Sequence, residues 1–227
     1  MDYKILYQDA FPIVQATLQK GESIKAEGDA MVTMSPTIDV EGSVEGGLLQ
    51  GIGRMLAGEK FFFQVLTARR GPGEVLLAPS IPGGIIDVEL DGSYELCVQK
   101  DGFLAGSQGI EVSTQMQNLT KGLFSGEGFF IVKIKGRGTV FVNSYGAIHA
   151  VNVPDNEEVI IDNGHLVAWP DYMNFTMEKA SSKGWISSMT SGEGLVCRFR
   201  GPGTVLIQTR NPRSFGNWIR KFLPPSK

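Results

Sequence analysis

Apolar and polar residues alternate along most of this chain, in short runs that end at glycine-rich turns. The run IIDVEL, residues 85–90, places every second side chain on one face and ends at the turn Asp91-Gly92. The runs SIKAE, residues 23–27, and TIDVE, residues 37–41, alternate in the same way. A period of two between turn residues is typical of β-strands that bury one face. We therefore predict a chain of many short strands.

One turn motif occurs three times at a constant spacing. A Gly-x-Gly turn, followed by a short apolar strand, begins at Gly71, at Gly136 and at Gly201, so that successive copies are 65 residues apart. Glycine supplies the positive φ that such a tight turn requires. An apolar run precedes each turn, and a Gly-Glu pair precedes each run; the three glutamates are Glu59, Glu127 and Glu193. The turn spacing predicts roughly six strands in each of three repeats.

We predict an all-β fold in which the three repeats pack around a pseudo-threefold axis. A repeat of this length closes a core poorly by itself, whereas three copies can share one. The strands are expected to form units of β-sandwich or double-stranded β-helix type at about residues 11–84, 85–146 and 147–210, within one domain over residues 1–227. Short helical connectors are expected inside the repeats. The first is the glycine-softened stretch 42–59, whose Gly-x-Gly lacks the full dinucleotide-binding fingerprint.

The last residues of the chain follow a different period. After Asn211-Pro212, apolar residues recur three and four apart, which is one stripe of a helix: Phe215, Trp218, Ile219, Phe222 and Leu223. Residues 211–227 also carry four basic side chains and no acidic one. Two interpretations of this amphipathic tail stay open. The helix packs on the β body or on another copy, or it anchors the chain on a membrane surface or a partner.

Three basic residues stand just before the Gly-x-Gly turns: Arg70, Lys135 and Arg200. If the repeats are symmetric, these side chains occupy equivalent places. One interpretation is that they solubilise exposed strand ends and discourage edge pairing. The other is that they converge near the axis and bind an anion or an acidic partner surface.

The composition is that of a globular protein with a slight negative charge. Hydrophobic residues make up 42% of the 227 residues, and the formal net charge of -3 disfavours nucleic acid as a partner. Cys97 and Cys197 lie in apolar runs, so we predict two buried thiols in a reducing compartment, although a disulfide between them stays open. The start of the chain shows no signal-peptide or presequence pattern, and no apolar run approaches the ~20 residues that span a bilayer. We therefore expect a cytoplasmic protein, at most peripheral to a membrane.

No catalytic motif is found in the sequence. The histidines His149 and His165 belong neither to an HExxH motif nor to a zinc-binding cluster, and we expect both to be partly buried strand residues. The nucleophile motif GxSxG and the phosphate-binding motif GxxxxGK[ST] are absent. We therefore predict that the protein is not an enzyme and has no catalytic residue, metal site or cofactor.

The turn motifs resemble those of one known family. The GEK and GEG turns, the turns GPGEV, GRGTV and GPGTV, and the run DNGHLVAW are similar to the altered-inheritance-of-mitochondria protein family over nearly the whole chain. The resemblance implies a β-rich fold related to the tryptophan RNA-binding attenuation protein. It also implies eukaryotic relatives that are mitochondrial and linked to inner-membrane organisation. Because the start of this sequence shows no presequence pattern, we expect this protein to differ from them in that respect. The family has no established catalytic residues, and a shared fold does not transfer tryptophan or RNA binding.

Two functional hypotheses follow. The first is a non-catalytic β scaffold or interaction protein that works near a membrane. It would bind a protein partner, associate with itself, or contact a membrane surface through its tail. The second is a small-ligand or anion-binding module with a pocket at the pseudo-threefold axis. The second predicts thermal stabilisation by a ligand, because a ligand that binds the folded state stabilises it by mass action.

Overall fold

The described part of this protein folds almost entirely into β-strands. The computed structural model describes residues 1–43, 63–117, 129–179 and 195–224. These residues form eighteen strands, two short 3-10 turns and one α-helix near the C-terminus. The predicted fold class, all-β with a C-terminal helix, is confirmed. Most of each predicted connector lies outside the described residues. The undescribed parts begin at residue 44 in the first repeat and at residues 118 and 180 in the next two, and they include Glu59, Glu127 and Glu193.

After an N-terminal strand, β1 (Asp2–Leu6), the strands form three successive segments of six. Segment one contains β2 (Ile13–Leu18), β3 (Ser23–Glu27), β4 (Met31–Met34), β5 (Asp39–Ser43), β6 (Phe63–Thr67) and β7 (Gly73–Leu77). Segment two contains β8 (Ile85–Asp91), β9 (Leu96–Gln99), β10 (Phe103–Ser107), β11 (Ile110–Gln117) and β12 (Phe129–Asn143), which supplies its fifth and sixth strands. Segment three contains β13 (Ile148–Val153), β14 (Glu158–Asp162), β15 (Leu166–Pro170), β16 (Asn174–Lys179), β17 (Leu195–Arg200) and β18 (Gly203–Gln208).

The strand β1 is an addition that the sequence pattern did not predict. It pairs antiparallel with β2. The N-terminal ammonium group donates to the Glu22 carboxylate at 2.7 Å, and the Tyr3 hydroxyl donates to Asp87 at 2.9 Å. These two contacts tie the start of the chain to segments one and two.

Each segment pairs its strands in the same order. The first and third strands flank the sixth, and the second and fourth strands flank the fifth, always antiparallel. In segment two, β12 runs without a break through the predicted turn at Gly136, so that prediction is wrong there. Gly136 has a φ of 112°, and a Cβ atom at this position would collide with the carbonyl oxygen of Gly109. Glycine is therefore required at Gly136 by backbone crowding within the sheet.

The two sheets of each segment enclose an apolar core. In segment one, Val14 of β2 and Ile24 of β3 belong to this core and are fully buried. In segment three, Trp169 lies edge to face against Phe199 at 5.6 Å. Fully burying a side chain of this size stabilises the fold by about 1.5–3 kcal/mol. The cores are not separate, because Val167 of segment three packs into the core of segment two.

Hydrogen bonds between strands join the segments in a row. β10 pairs with β3, with Ala105 opposite Ala26, and β15 pairs with β9, with Ala168 opposite Val98. In both junctions the third strand of one segment pairs antiparallel with the second strand of the preceding segment. Among the described strands, β4 pairs only with β7, and β14 pairs only with β17. The row is therefore open at β4 and β14, and the pseudo-threefold axis stays a prediction.

Candidate interaction surface

The C-terminal helix α1 spans Pro212–Arg220 and begins at a well-formed cap. The side-chain oxygen of Asn211 accepts hydrogen bonds from the backbone N–H groups of Arg213, at 3.0 Å, and Ser214, at 3.2 Å. Pro212 occupies the first turn, where its fixed φ suits a helix and its missing N–H leaves no bond unmade. Local sequence signals therefore fix where the helix starts.

The apolar stripe of α1 faces solvent. No residue of the helix is buried, and Ile219 is only half-buried. Trp218 is 56% exposed, and Phe222, just beyond the helix end, is 71% exposed; Leu223 is exposed as well. The ring of Phe215, itself exposed, lies 6.0 Å from that of Trp218 and stacks on it. The aromatic rings therefore contact one another rather than a core.

One ring contact connects α1 to the β body. The Phe215 ring lies 5.6 Å from the ring of Tyr145, which follows β12. The backbone N–H of Tyr145 donates to the side chain of Gln208 in β18 at 2.8 Å. Sequence reasoning missed Tyr145, because a contact between residues about seventy positions apart leaves no periodic signal.

Basic side chains accompany the apolar stripe. In a helix of 3.6 residues per turn, Arg213 and Arg220 fall on the side opposite Phe215, and Lys221 follows the last turn. Residues 209–227 contain no acidic side chain, whereas the whole chain has a net charge of -3. An apolar stripe with cationic flanks is the pattern of a helix that lies in a membrane interface.

Two of the three basic residues that precede the Gly-x-Gly motifs form ion pairs. The guanidinium of Arg70 lies 2.7 Å from the carboxylate of Asp39, and the ammonium of Lys135 lies 3.0 Å from that of Glu111. The hydrogen bond to Glu111 raises the pKa of Lys135. Both partners belong to the fourth strand of the same segment as the base. Their convergence near an axis stays a prediction.

Strand register separates Arg70 from the other two basic residues. Pairing with the second strand puts Lys135 and Arg200 in the same register position, and in segment one this position belongs to Thr67. Arg70 lies three residues further on, in the turn after β6. Arg70 therefore differs from the other two in backbone register, because the turn of segment one is three residues longer. Its partner Asp39 lies opposite Thr67 as Glu111 lies opposite Lys135, so the equivalence of the three side chains stays a prediction. Arg200 lies at 3.5 Å from the side-chain oxygen of Asn156.

An open groove of about 580 Å³ lies beside Lys135. The rings of Tyr94 and Tyr172 form part of its wall and meet edge to face at 5.8 Å. Its lining carries both signs of charge: Lys135, Arg137, Glu95 and Asp171. Neither Arg70 nor Arg200 lines it. The groove therefore does not unite the three predicted basic residues.

Cys97 and Cys197 are buried and unpaired, which confirms the prediction of two buried thiols; the reducing compartment stays a prediction. Burial raises the pKa of the Cys97 thiol to about 11 and that of Cys197 to about 12. Both thiols are therefore protonated at neutral pH, and a protonated thiol is a poor nucleophile and a poor metal ligand.

The histidines occupy different surroundings. His165 is half-buried in a 3-10 turn, and its Nδ1 lies 2.7 Å from the backbone carbonyl oxygen of Gln208. His149 is exposed on β13, so the prediction of partial burial is wrong for it. It shares a strand face with Val151 and Val153, but it lies near the start of the strand, where the core of segment three does not cover it. Within the described ranges, no group of three His, Cys, Asp or Glu side chains is placed to hold a metal ion. No helix in the described part of the chain is long and apolar enough to cross a membrane.

Comparisons with known proteins agree on one family. The model of the family described as mitochondrial biogenesis AIM24 matches residues 3–210. An uncharacterised protein of Streptococcus pyogenes is 31% identical over 223 residues, which cover 95% of this chain and 88% of that protein. A crystal structure of a protein from Streptococcus pyogenes superimposes with a TM-score of 0.81 at 30% identity, covering 98% of this chain and 99% of that one. The resemblance inferred from the turn motifs is thereby confirmed, and the chain belongs to the AIM24 family.

Proposed function

We propose that this protein is a non-catalytic β scaffold, built from three copies of one six-strand unit, that docks on anionic membrane surfaces through α1. The three-copy description is supported by the pairing order that the segments share. The non-catalytic description is supported by the family, whose matching model names no enzymatic activity.

The observation that carries the membrane proposal is the exposed aromatic stripe of α1. Phe215 stacks on Trp218, Trp218 meets Phe222 edge to face, and all three rings are exposed. Basic side chains lie on the opposite side of the helix. Transfer of such rings into an interface removes apolar surface from water, which contributes about 25 cal/mol per Å². Each Lys or Arg near an anionic surface adds about 1 kcal/mol. The two contributions act together only on a surface that is both apolar and negatively charged.

Vesicle flotation tests the proposal directly. The full chain is expected to float with vesicles that contain anionic lipid and to stay behind with zwitterionic vesicles. Phe222→Ser should reduce the bound fraction several-fold, because it removes a ring from the stripe. Phe11→Ser is the matched control, since Phe11 is also 71% exposed but lies far along the chain, before β2. It should leave flotation unchanged.

Salt separates the two contributions. Raising the ionic strength screens the attraction between the basic residues and the anionic surface, so binding should weaken. A blue shift of Trp218 fluorescence on binding would place that ring in the interface. Equal flotation of the wild-type protein and Phe222→Ser would contradict the proposal, and so would an absence of binding to anionic vesicles.

The alternative, an anion-binding module that uses Arg70, Lys135 and Arg200, has less support. Arg70 and Lys135 are engaged by carboxylates of their own segments. The groove beside Lys135 contains acidic as well as basic side chains. We therefore favour the membrane-docking scaffold.

A further inference from the structure

The third strands of the three segments share one irregularity. β4, β10 and β15 each contain a β-bulge at the same step of their pairing with the sixth strand. The extra residue is Val32 in β4, Leu104 in β10 and Val167 in β15. Because the bulges coincide, these three side chains occupy equivalent positions.

These equivalent side chains have opposite surroundings. Leu104 is fully buried in the core of segment one, and Val167 is 2% exposed in the core of segment two. Each therefore packs into the segment that precedes its own. Val32 belongs to segment one, which no segment precedes in this chain, and it is 53% exposed. Met31 and Met34 on the same strand are exposed as well.

The other end of the row shows the complementary feature. β3 and β9, the second strands of segments one and two, pair along their outer edges with β10 and β15. β14, the second strand of segment three, pairs with β17 and with no other strand in the described part of the chain. Ile160 of β14 is 53% exposed, whereas Cys97, which holds the equivalent position in β9, is 4% exposed. β14 therefore lacks the cover that the next segment gives to β3 and β9.

We propose that β14 of one copy of this protein pairs with β4 of a second copy, and so repeats between chains the junction that occurs twice within the chain. The registers of the two internal junctions determine the register of the proposed contact between chains. The residues that face each other within the chain, Ala105 with Ala26 and Ala168 with Val98, correspond to Thr33 and Ile161. Met34 then lies opposite Ile160.

The physical basis is the same as for the two internal junctions. A free edge strand presents unpaired N–H and C=O groups that form a template for another strand. β4 has the sequence MVTM, without the charge or proline that blocks such pairing. Antiparallel pairing across the two edges satisfies these groups and covers Val32, Met34 and Ile160 with apolar surface.

Two different edges form this contact, so the interface is heterologous. An open assembly keeps one free β4 at one end and one free β14 at the other until a ring closes; an association that does not close grows as an open chain. The inference rests on the three-copy description of the fold and not on membrane binding by α1. A negative flotation result would therefore leave the self-assembly proposal standing, and a negative sedimentation result would leave the membrane proposal standing.

Two single-edge variants test the proposal by sedimentation. The wild-type protein should sediment with a mass of more than one chain. Val32→Asp and Ile160→Asp should each sediment as monomers, because each places a charge in the contact. Val40→Asp is the matched control, since Val40 is a valine of the edge strand β5 with 41% exposure that lies outside the proposed contact. It should keep the wild-type mass.

Mixing the two variants distinguishes a heterologous contact from a symmetric one. The Val32→Asp copy keeps an intact β14, and the Ile160→Asp copy keeps an intact β4, so an equimolar mixture should form a one-to-one complex. Circular dichroism of each variant confirms that it is folded. The proposal is overturned if the wild-type protein is monomeric, if either folded variant still self-associates, or if the mixture stays monomeric.

Discussion

β15 and β4 occupy the same place in their segments, yet one is the most enclosed strand of the molecule's third segment and the other is open to solvent. All five residues of β15 are buried, whereas all four of β4 are exposed. Trp169 and Met34 each lie two residues after the extra residue of the bulge and differ in the same way. Pairing with the sixth strand is a property of one segment. Burial depends on whether another segment packs against the strand.

The largest expected difference is between these two residues. Trp169→Ala should lower the free energy of unfolding by about 3–5 kcal/mol, because it leaves a cavity among packed rings. Met34→Ala should lower it by less than about 1 kcal/mol, since a partly exposed side chain leaves no cavity. Urea unfolding measures both, in protein that also carries Ile160→Asp so that assembly makes no contribution.

A like-for-like pair gives the second prediction. Val167→Ala should cost about 2 kcal/mol, because it removes buried methyl groups from the core of segment two. Val32→Ala, in the same Ile160→Asp protein, should change the free energy of unfolding by less than about 0.5 kcal/mol. Equal costs for the two valines would mean that β4 is covered within a single chain, and would remove the basis of the comparison.

The third prediction concerns the thiol at the closed junction, whose effect appears only at high pH. Burial raises the pKa of Cys97 from 9.0 to about 11, so the folded state keeps a proton that the unfolded state loses. The stabilisation is fully present below pH 9 and is lost as the pH rises toward 11, by at most about 1.4 kcal/mol per pH unit. Cys97→Ala should therefore show a shallower decline of its urea midpoint between pH 9 and 11 than the wild-type protein.

A thiol introduced at the open edge provides the contrast. Ile160→Cys places a thiol at the position equivalent to Cys97, on a side chain that is 53% exposed in the native protein. At pH 8 it should react rapidly with a disulfide reagent in dilute protein, whereas Cys97 stays protected. Equal protection of both thiols in monomeric protein would contradict the open edge.

Strand identity could be predicted from the sequence to a large extent, because alternation is set by which side chains share a face. The strands of segment two begin and end close to the runs IIDVEL and ELCVQ. The helix α1 was predicted from its period and its cap, both of which are local. The strand β1 was missed, since its short run is held in place by distant partners such as Asp87.

Relations between distant residues could not be predicted. The motif Gly-x-Gly suggested a turn at Gly136, but the partners of β12 keep it extended. The position of Arg70 depends on a register that only pairing with β3 reveals. The exposure of His149 likewise depends on how far along β13 the core of segment three reaches. In each case the missing information is a contact made by a residue far away in the chain.

The sequence by itself determined the strands and the amphipathic helix, because period, turn residues and caps act over a few positions. Only the tertiary structure decided which strand edges are paired with another strand. Leu104, Val167 and Val32 are similar apolar residues at equivalent positions, and two are buried while one is exposed. The reason is that a strand is buried only where a neighbouring segment covers it. In a row of three segments, the third strand of the first segment and the second strand of the last segment have no such neighbour.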